Sequence, residues 1–359
     1  MREKNRKEKI VFDISKVDSN FEINTQINKK DIKFYNIDEA PFEIYGVLKE
    51  NGRYRRMPED VAKTVSDGVY MLHSHTSGGR VRFATDSQYV AISAKIDSIS
   101  RAPHSTLTGA AGFDMYVGEK FIYTFVPPYT VETEYESLCE RFGTREMREI
   151  TINFPLFSNV SSLYIGLQED AVVKKASPYK NKKPVVYYGS SITQGGCASR
   201  PGNCYTSIIS RKFDYDYINL GFSGNAKAED EIAEYIKGIN MSLFVYDYDH
   251  NSPSTEHLKN THEKMFKTIR TAHPKLPIII MGRPKYTFYF DDEQRTEIVK
   301  KTYKNAIASG DKNVYFIDGP TLLELCKDDY SVDACHPNDF GFASMAKALA
   351  EVIADIDVK

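Results

Sequence analysis

The hydrophobic pattern changes period once along the chain, and that change limits the possible folds more than any other feature. Up to about residue 175 the apolar residues alternate. In "YVAISAKI", Val90, Ile92, Ala94 and Ile96 share one face of a strand, and "EITINFPLF" and "SSLYIGLQ" repeat the pattern through Ile150, Ile152, Phe154 and Leu163, Ile165, Leu167. Turn-forming stretches ("TSGG", "TDS", "VGEK", "FSNVSS") separate these runs. Many short strands punctuated in this way predict an antiparallel β-sandwich of the jelly-roll kind. After the basic, proline-marked "KKASPYKNKKP" the apolar runs become continuous: "PVVYYG", "YDYINLG", "SLFVYDY", "LPIIIMG" and "NVYFIDG". Between them lie helix-length segments such as 226–238, 255–273 and 291–309. Strands apolar on both faces predict a parallel sheet covered by helices on both sides, a doubly wound α/β domain. Two domains suit 359 residues, with an accessory sandwich over 1–178 and the α/β domain over 179–359.

Composition narrows the function. A net charge of −2, with Lys and Arg spread along the chain, argues against a nucleic-acid partner, which would need a basic excess. The opening "MREKNRKEKIVFDISK" is charged, but no apolar stretch of signal-peptide length follows it. No window approaches the roughly 18 apolar residues of a membrane span. A cytoplasmic protein is expected. Cys139, Cys197, Cys204, Cys326 and Cys335 are sparse and lack C-x-x-C spacing, which favours reduced thiols over a disulfide framework or a zinc site.

In doubly wound sheets, ligands sit beyond the carboxyl ends of the strands. That rule gathers the loops 189–196, 221–225 and 248–254, with 331–338 reaching the same rim. Their sequences are "GSSITQGG", "GFSGN", "DYDHNSP" and "DACHPND". The first alone fits a polar turn, a nucleophile loop or a phosphate cradle, although it lacks the Gly-Lys-Ser/Thr ending of the last. Together the four supply a serine, a glycine amide, an asparagine side chain and an Asp-x-x-His pair, the parts needed for acyl transfer.

These four blocks, in this order, resemble those of the SGNH or GDSL hydrolase superfamily, over approximately residues 180–357. The resemblance implies a flavodoxin-like sheet and maps Gly189, Ser190, Ser191 and Ile192 onto the Gly-Asp-Ser-Leu block, with Ser191 as nucleophile. Ser190 stands where an aspartate is usual, so that residue's structural role falls to something else. The oxyanion hole implied by the family is Gly224, Asn251 and the Ser191 backbone N–H. Around Asn251, Asp249, His250 and Ser252 depart from the family's Gly-x-Asn-Asp. Asp333 and His336 match the final block, with His336 taking the Ser191 proton and Asp333 orienting the ring. "GFDMY", Gly112 to Tyr116, resembles the Gly-x-Asp-Leu-Tyr motif of a β-domain that precedes the hydrolase domain in one branch of the superfamily.

Other residues have competing readings. His250 adjoins the oxyanion asparagine and is a candidate substrate contact. Arg283 in "MGRP" is another, against an equal expectation of a structural salt bridge. His73 and His75 would share a strand face but lack a third metal ligand nearby. His257 and His262 are spaced wrongly for one helix face. Cys335 lies too close to the base to be a nucleophile and is read as packing. Tyr188, Tyr205, Tyr248 and Tyr286 fall near the expected cleft and would suit a sugar ring, or fill half-buried sheet positions.

The resulting expectation is a serine esterase that removes small acyl groups, acetyl above all, from a carbohydrate; the acetyl-sugar preference is implied by the family resemblance. Its partner is a small-molecule or oligosaccharide ester, with no metal or organic cofactor. The sandwich shapes the cleft, binds substrate or forms a homo-oligomer interface. The alternatives are an acyltransferase using the same acyl-enzyme and a catalytically inactive carbohydrate-binding protein.

Overall fold

The computed structural model describes Val17 and residues 26–358, so the charged opening stretch lies, Val17 aside, outside the described residues. The first half forms two antiparallel sheets. One places Ile32–Asn36, Ser158–Gln168, Val90–Ile99 and Glu134–Cys139 side by side in that order. The other runs Val173–Lys174, Arg80–Thr85, Arg148–Asn153, Phe113–Val117 and Lys120–Phe125, with Glu43–Tyr45 also on Arg80–Thr85. The alternation sets which residues meet between the sheets. Ile92, Ile96, Leu163 and Ile165 of the first pack with Val81, Phe83, Met115 and Ile152 of the second in one buried core.

The second half is a five-stranded parallel sheet in the order Tyr217–Gly221, Val185–Gly189, Leu243–Asp247, Ile278–Met281 and Val314–Ile317. In chain order this is 2-1-3-4-5, the flavodoxin-like arrangement, whose switch point lies between the first and third strands. Val186, Tyr188, Phe244 and Tyr246 face the helices Asp230–Lys237, Thr255–Ala272 and Asp292–Ala308. Val185, Tyr187 and Val245 face Tyr205–Phe213 and Asp339–Ala354 on the other side. Both faces being covered is why these strands read as unbroken apolar runs. Among the described residues no helix is long and apolar enough to cross a membrane.

The two halves share a polar and apolar seam. Met57, Ala62, Val65, Val69 and Leu72 precede the sandwich's main strands yet pack into the core of the parallel sheet. This corrects the reading of His73 and His75 as neighbours on a strand face. His73 instead caps the helix Asp67–Leu72, and both His73 and His75 are buried. The buried Arg56 donates to the carbonyls of His75 (2.8 Å), Leu72 (2.6 Å) and Asn219 (3.3 Å), and also to Gly221, tying one half to the second parallel strand. Arg80 pairs with Asp216 and donates to Tyr217 O at 3.2 Å. Asp114, fully buried, accepts from Asn153 Nδ2 (2.9 Å), Arg200 Nη1 (2.8 Å) and the Gly202 N–H (2.8 Å).

At the carboxyl end of the third parallel strand, Asp247 is buried and accepts the Thr193 hydroxyl at 2.7 Å, while Thr193 accepts from Tyr205 at 3.1 Å. Burial pushes the Asp247 carboxyl up to about 7, and the neighbouring Asp249 adds to the rise.

Two outcomes follow from these buried groups. Asp114→Ala strands Arg200 and the Gly202 amide, and is expected to cost about 3 kcal/mol, read as a lower urea midpoint; an unchanged midpoint would remove the clamp from the account. Asp247 holds its proton more tightly folded than unfolded, so its contribution is full below about pH 4 and is lost as pH rises towards 7. The stability of the wild type relative to Asp247→Asn should therefore fall across that window and level off above it, and urea midpoints at several pH values would expose a flat difference.

Candidate active site

The site is assembled where the first parallel strand stops. After Val185–Gly189, Ser190 turns the chain and caps the short helix Ser191–Gln194, its Oγ accepting the Ile192 N–H at 3.1 Å. Here Ser190, in the place of the family's aspartate, does the work of a helix cap. Gly189 is required by close approach, since a Cβ there would sit 2.2 Å from Thr193 Oγ1 and 2.4 Å from Asp247 O. Ser191 thus opens the helix, and its backbone N–H is among those no intrahelical carbonyl satisfies.

His336 and Asp333 come from the loop before the last helix. Asn338 caps that helix by accepting the Gly341 N–H at 2.9 Å. Ahead of it, Val332 donates to His336 O at 3.1 Å, and Tyr330 donates through its hydroxyl to Ala334 O at 3.0 Å. These bonds fold 331–338 into a tight turn over the rim. Ser191 Oγ lies 2.8 Å from His336 Nε2, and His336 Nδ1 lies 2.7 Å from Asp333 Oδ2. Asp333 Oδ1 accepts the backbone N–H groups of Cys335 (3.0 Å) and His336 (2.7 Å). Burial works to raise the Asp333 pKa, but the bonds from the His336 ring and from these two amides outweigh it and hold the carboxyl below its usual value. An ionised Asp333 can only accept, so Nδ1 carries the hydrogen of a neutral ring and Nε2 offers its lone pair to the Ser191 hydroxyl.

The turn after the second strand brings Gly224. Phe222 donates to Gly189 O at 2.8 Å and Ser223 to Gln194 Oε1 at 3.1 Å, which ties this turn to the nucleophile's helix. Gly224 has φ +71°, a conformation that favours glycine, with no atom within 4 Å of where a Cβ would be. Asn251 reaches the same turn: its Oδ1 accepts the Ala226 N–H at 3.3 Å. That bond fixes the amide with its oxygen towards the turn, and Nδ2 and the Gly224 N–H have no acceptor among the described residues. Two donors are therefore held near the nucleophile's helix without partners.

The other expected contacts lie elsewhere. Arg283 commits Nε and Nη2 to Asp249 (3.2 and 3.1 Å) and Nη1 to Asp292 (2.8 Å). These are the structural ion pairs that the sequence offered equally for this residue. His250 Nε2 is sealed from solvent and Nδ1 faces Cys335 Sγ at 4.0 Å; burial, with Arg283 and Lys285 nearby, holds the ring neutral. Through Cys335 it adjoins the loop that carries His336. Tyr188, Tyr205 and Tyr248 are buried in the cores flanking the sheet, and Tyr286 packs against one of them, so no aromatic sugar platform forms from these residues. All five cysteines are free, including Cys197 and Cys204.

The sequence did not disclose His104. It comes from the sandwich, on the loop after Val90–Ile99, and its ring centroid lies 5.3 Å from that of His336. Nothing in "RAPHSTL" marks it; only the docking of one half on the other brings it to the rim.

Comparison with known proteins adds to this geometry. Residues 182–354 match the model of the GDSL-like lipase/acylhydrolase family, and residues 32–173 match that of the GxDLY domain found at the N-terminus of SGNH hydrolase-type esterases. None of the curated proteins compared with the chain matches it. A crystal structure from Bacteroides ovatus, assigned as a GDSL-like lipase, is 29% identical with a TM-score of 0.80, over 90% of this chain and 97% of that one. The salicylyl-acyltransferase SsfX3 of a tetracycline biosynthetic pathway superposes with a TM-score of 0.73 at 18% identity, over 92% and 100%. The acetyl xylan esterase Est2A from the rumen bacterium Butyrivibrio proteoclasticus does so with 0.57 at 13%, over 90% and 98%. With two matching models in the same order as the two halves of the fold, the chain belongs to the SGNH/GDSL hydrolase superfamily, in the branch that carries a GxDLY β-domain ahead of the hydrolase domain.

Proposed function

We propose that the protein is a serine esterase that releases small acyl groups, acetyl above all, from hydroxyl groups of a carbohydrate. The observation that carries the reading is the unbroken hydrogen-bonded line from Ser191 Oγ through His336 to Asp333. Ser191 Oγ attacks the ester carbonyl while its proton passes to His336 Nε2, and Asp333 stabilises the imidazolium that forms. The tetrahedral oxyanion is held by the Gly224 N–H, Asn251 Nδ2 and the Ser191 N–H, donors that are set before the charge develops. His336 then returns the proton to the leaving alcohol, and a water deprotonated by the same ring cleaves the acyl-enzyme. None of these steps calls for a metal or an organic cofactor.

The carbohydrate part of the proposal draws on the fold shared with an acetyl xylan esterase. A second reading, transfer of the acyl group to an alcohol, draws on the fold shared with a salicylyl-acyltransferase over nearly the whole chain. The two differ only in what attacks the acyl-enzyme.

Acetate release from acetylated xylo- and manno-oligosaccharides and from an aryl acetate tests both. Ser191→Ala is expected to lower kcat on either substrate by at least about 10⁴-fold. Asn251→Ala should lower kcat by about 10²- to 10³-fold. Aryl acetate cleavage without release from the oligosaccharides would leave the triad and discard the sugar. A product ester that forms on addition of an alcohol acceptor, at the expense of acetate, would favour the transferase. Silence of the wild type on every ester would overturn the catalytic reading.

A further inference from the structure

The rim of the site holds side chains that ester cleavage does not use. His104 leans over His336, and its Nε2 lies 3.9 Å from Asp333 Oδ2. Cys197 approaches from the loop that follows the nucleophile's helix. One donor atom from each of His104, Cys197 and His336 falls within 4.8 Å of the others, and this is the one group of its kind among the described residues. Two imidazoles and a thiol are a donor set suited to Zn²⁺. A tetrahedral zinc with bonds of about 2.0–2.3 Å would draw the donors to roughly 3.3–3.6 Å apart, so closure requires shifts of about 1 Å. His104, with 41% of its side chain exposed on a loop, is free to make much of that movement.

Cys197 is held in an uncommon way. Its φ is +72°, a conformation that a residue with a Cβ seldom adopts. Its Sγ has Ser105 Oγ as a polar neighbour at 3.7 Å. Binding of a metal to a thiol releases its proton to solvent.

We propose that His104, Cys197 and His336 form a zinc site through which Zn²⁺ reversibly silences the catalytic centre. The silencing half rests on the esterase reading; the metal site does not. On Nε2 the metal would take the lone pair that receives the Ser191 proton, and on Nδ1 it would displace Asp333. Either nitrogen, once metal-bound, stops the proton relay. With three protein donors, a solvent molecule would complete the tetrahedron. The site spans the seam, so bound zinc would also pin the sandwich loop against the hydrolase half.

The test begins with the full chain carrying Ser191→Ala, stripped of metal by a chelator, so that binding is read without catalysis. Titration with Co²⁺ should give tetrahedral d–d absorption and a thiolate-to-cobalt charge-transfer band that saturate at one equivalent. Cys197→Ser should lose the charge-transfer band, and His104→Ala should weaken binding by at least about tenfold. In the otherwise wild-type enzyme, Zn²⁺ should suppress aryl acetate cleavage and a chelator should restore it. His104→Ala should keep the zinc-free rate and need at least about tenfold more zinc for half-inhibition. Absence of one-equivalent binding, or binding unmoved by both substitutions, would overturn the site. Cobalt spectra as expected in a chain with no esterase activity would keep the metal site and discard both its inhibitory role and the esterase reading.

Discussion

One buried amide, that of Gln194, joins three parts of the protein that have to agree for the site to exist. Its Nε2 donates to His75 Nδ1 and to Leu156 O, both at 3.1 Å, and its Oε1 accepts the Ser223 N–H at 3.1 Å. His75 and Leu156 belong to the sandwich, Ser223 to the turn that presents Gly224, and Gln194 itself to the helix that starts with Ser191. The residue has no exposed surface, so the buried His75 and Leu156 groups would be left unpaired and dry if the side chain moved, at about 1–3 kcal/mol each. Burial drives the His75 pKa down to about 3, which keeps the ring neutral, so that Nδ1 can accept from Gln194. Beside it, Ser77 Oγ donates to the Gln194 carbonyl at 2.6 Å. The distance between nucleophile and oxyanion turn is thus set by a network that the hydrolase half does not close alone.

The motif by which the sandwich is recognised acts in the same seam. Of "GFDMY", Asp114 accepts from Arg200 and from the Gly202 N–H, and the Tyr116 hydroxyl also meets Arg200. Arg200 and Gly202 lie just beyond the helix that begins with Ser191. On the far side, Gly68 approaches Asn225 so closely that a Cβ would fall 1.9 Å from its Oδ1. The sandwich therefore grips both the segment that follows the nucleophile and the turn that carries the oxyanion donor. An aspartate fully buried with an arginine is costly to desolvate, and it persists where its geometry fixes a relation that apolar packing would leave loose.

What the sequence disclosed and what it hid divide along the same physical line. Continuous apolar runs marked the parallel strands because burial on both faces acts on each residue separately, and Val185 to Tyr188 show it. Ser191, Asp333 and His336 were legible because each sits in a short segment whose local bonds shape it: a serine cap, an Asx-type turn, an asparagine cap. Pairings between distant segments leave no such trace. Arg283 read equally as a substrate contact and as a salt bridge, since nothing in "MGRP" shows that Asp249 and Asp292 will converge on it. The tyrosines stayed open between a sugar platform and a packing role, because strand position tells which face a ring such as Tyr188 occupies but not whether a helix covers it. His73 and His75 alternate like strand residues, yet Ser66 caps the helix Asp67–Leu72, which places them in and beyond its last turn.

These two classes of contact give the catalytic parts different dependence on the seam. The base loop is closed by its own backbone, from the Ser331–Pro337 bridge to the caps of the last helix, and Asp333 and His336 would keep their mutual geometry if the sandwich shifted. The nucleophile and the oxyanion donors have no comparable local closure, since Gln194, Arg56 and Gly68 relate them through the other half. A loosened seam would thus leave a histidine still oriented by its aspartate beside a serine and an oxyanion turn no longer in register. In an enzyme whose rate depends on donors fixed before charge develops, that loss falls on the transition state more than on binding. On the proposed esterase reading, the β-domain would then belong to the catalytic apparatus by mechanics.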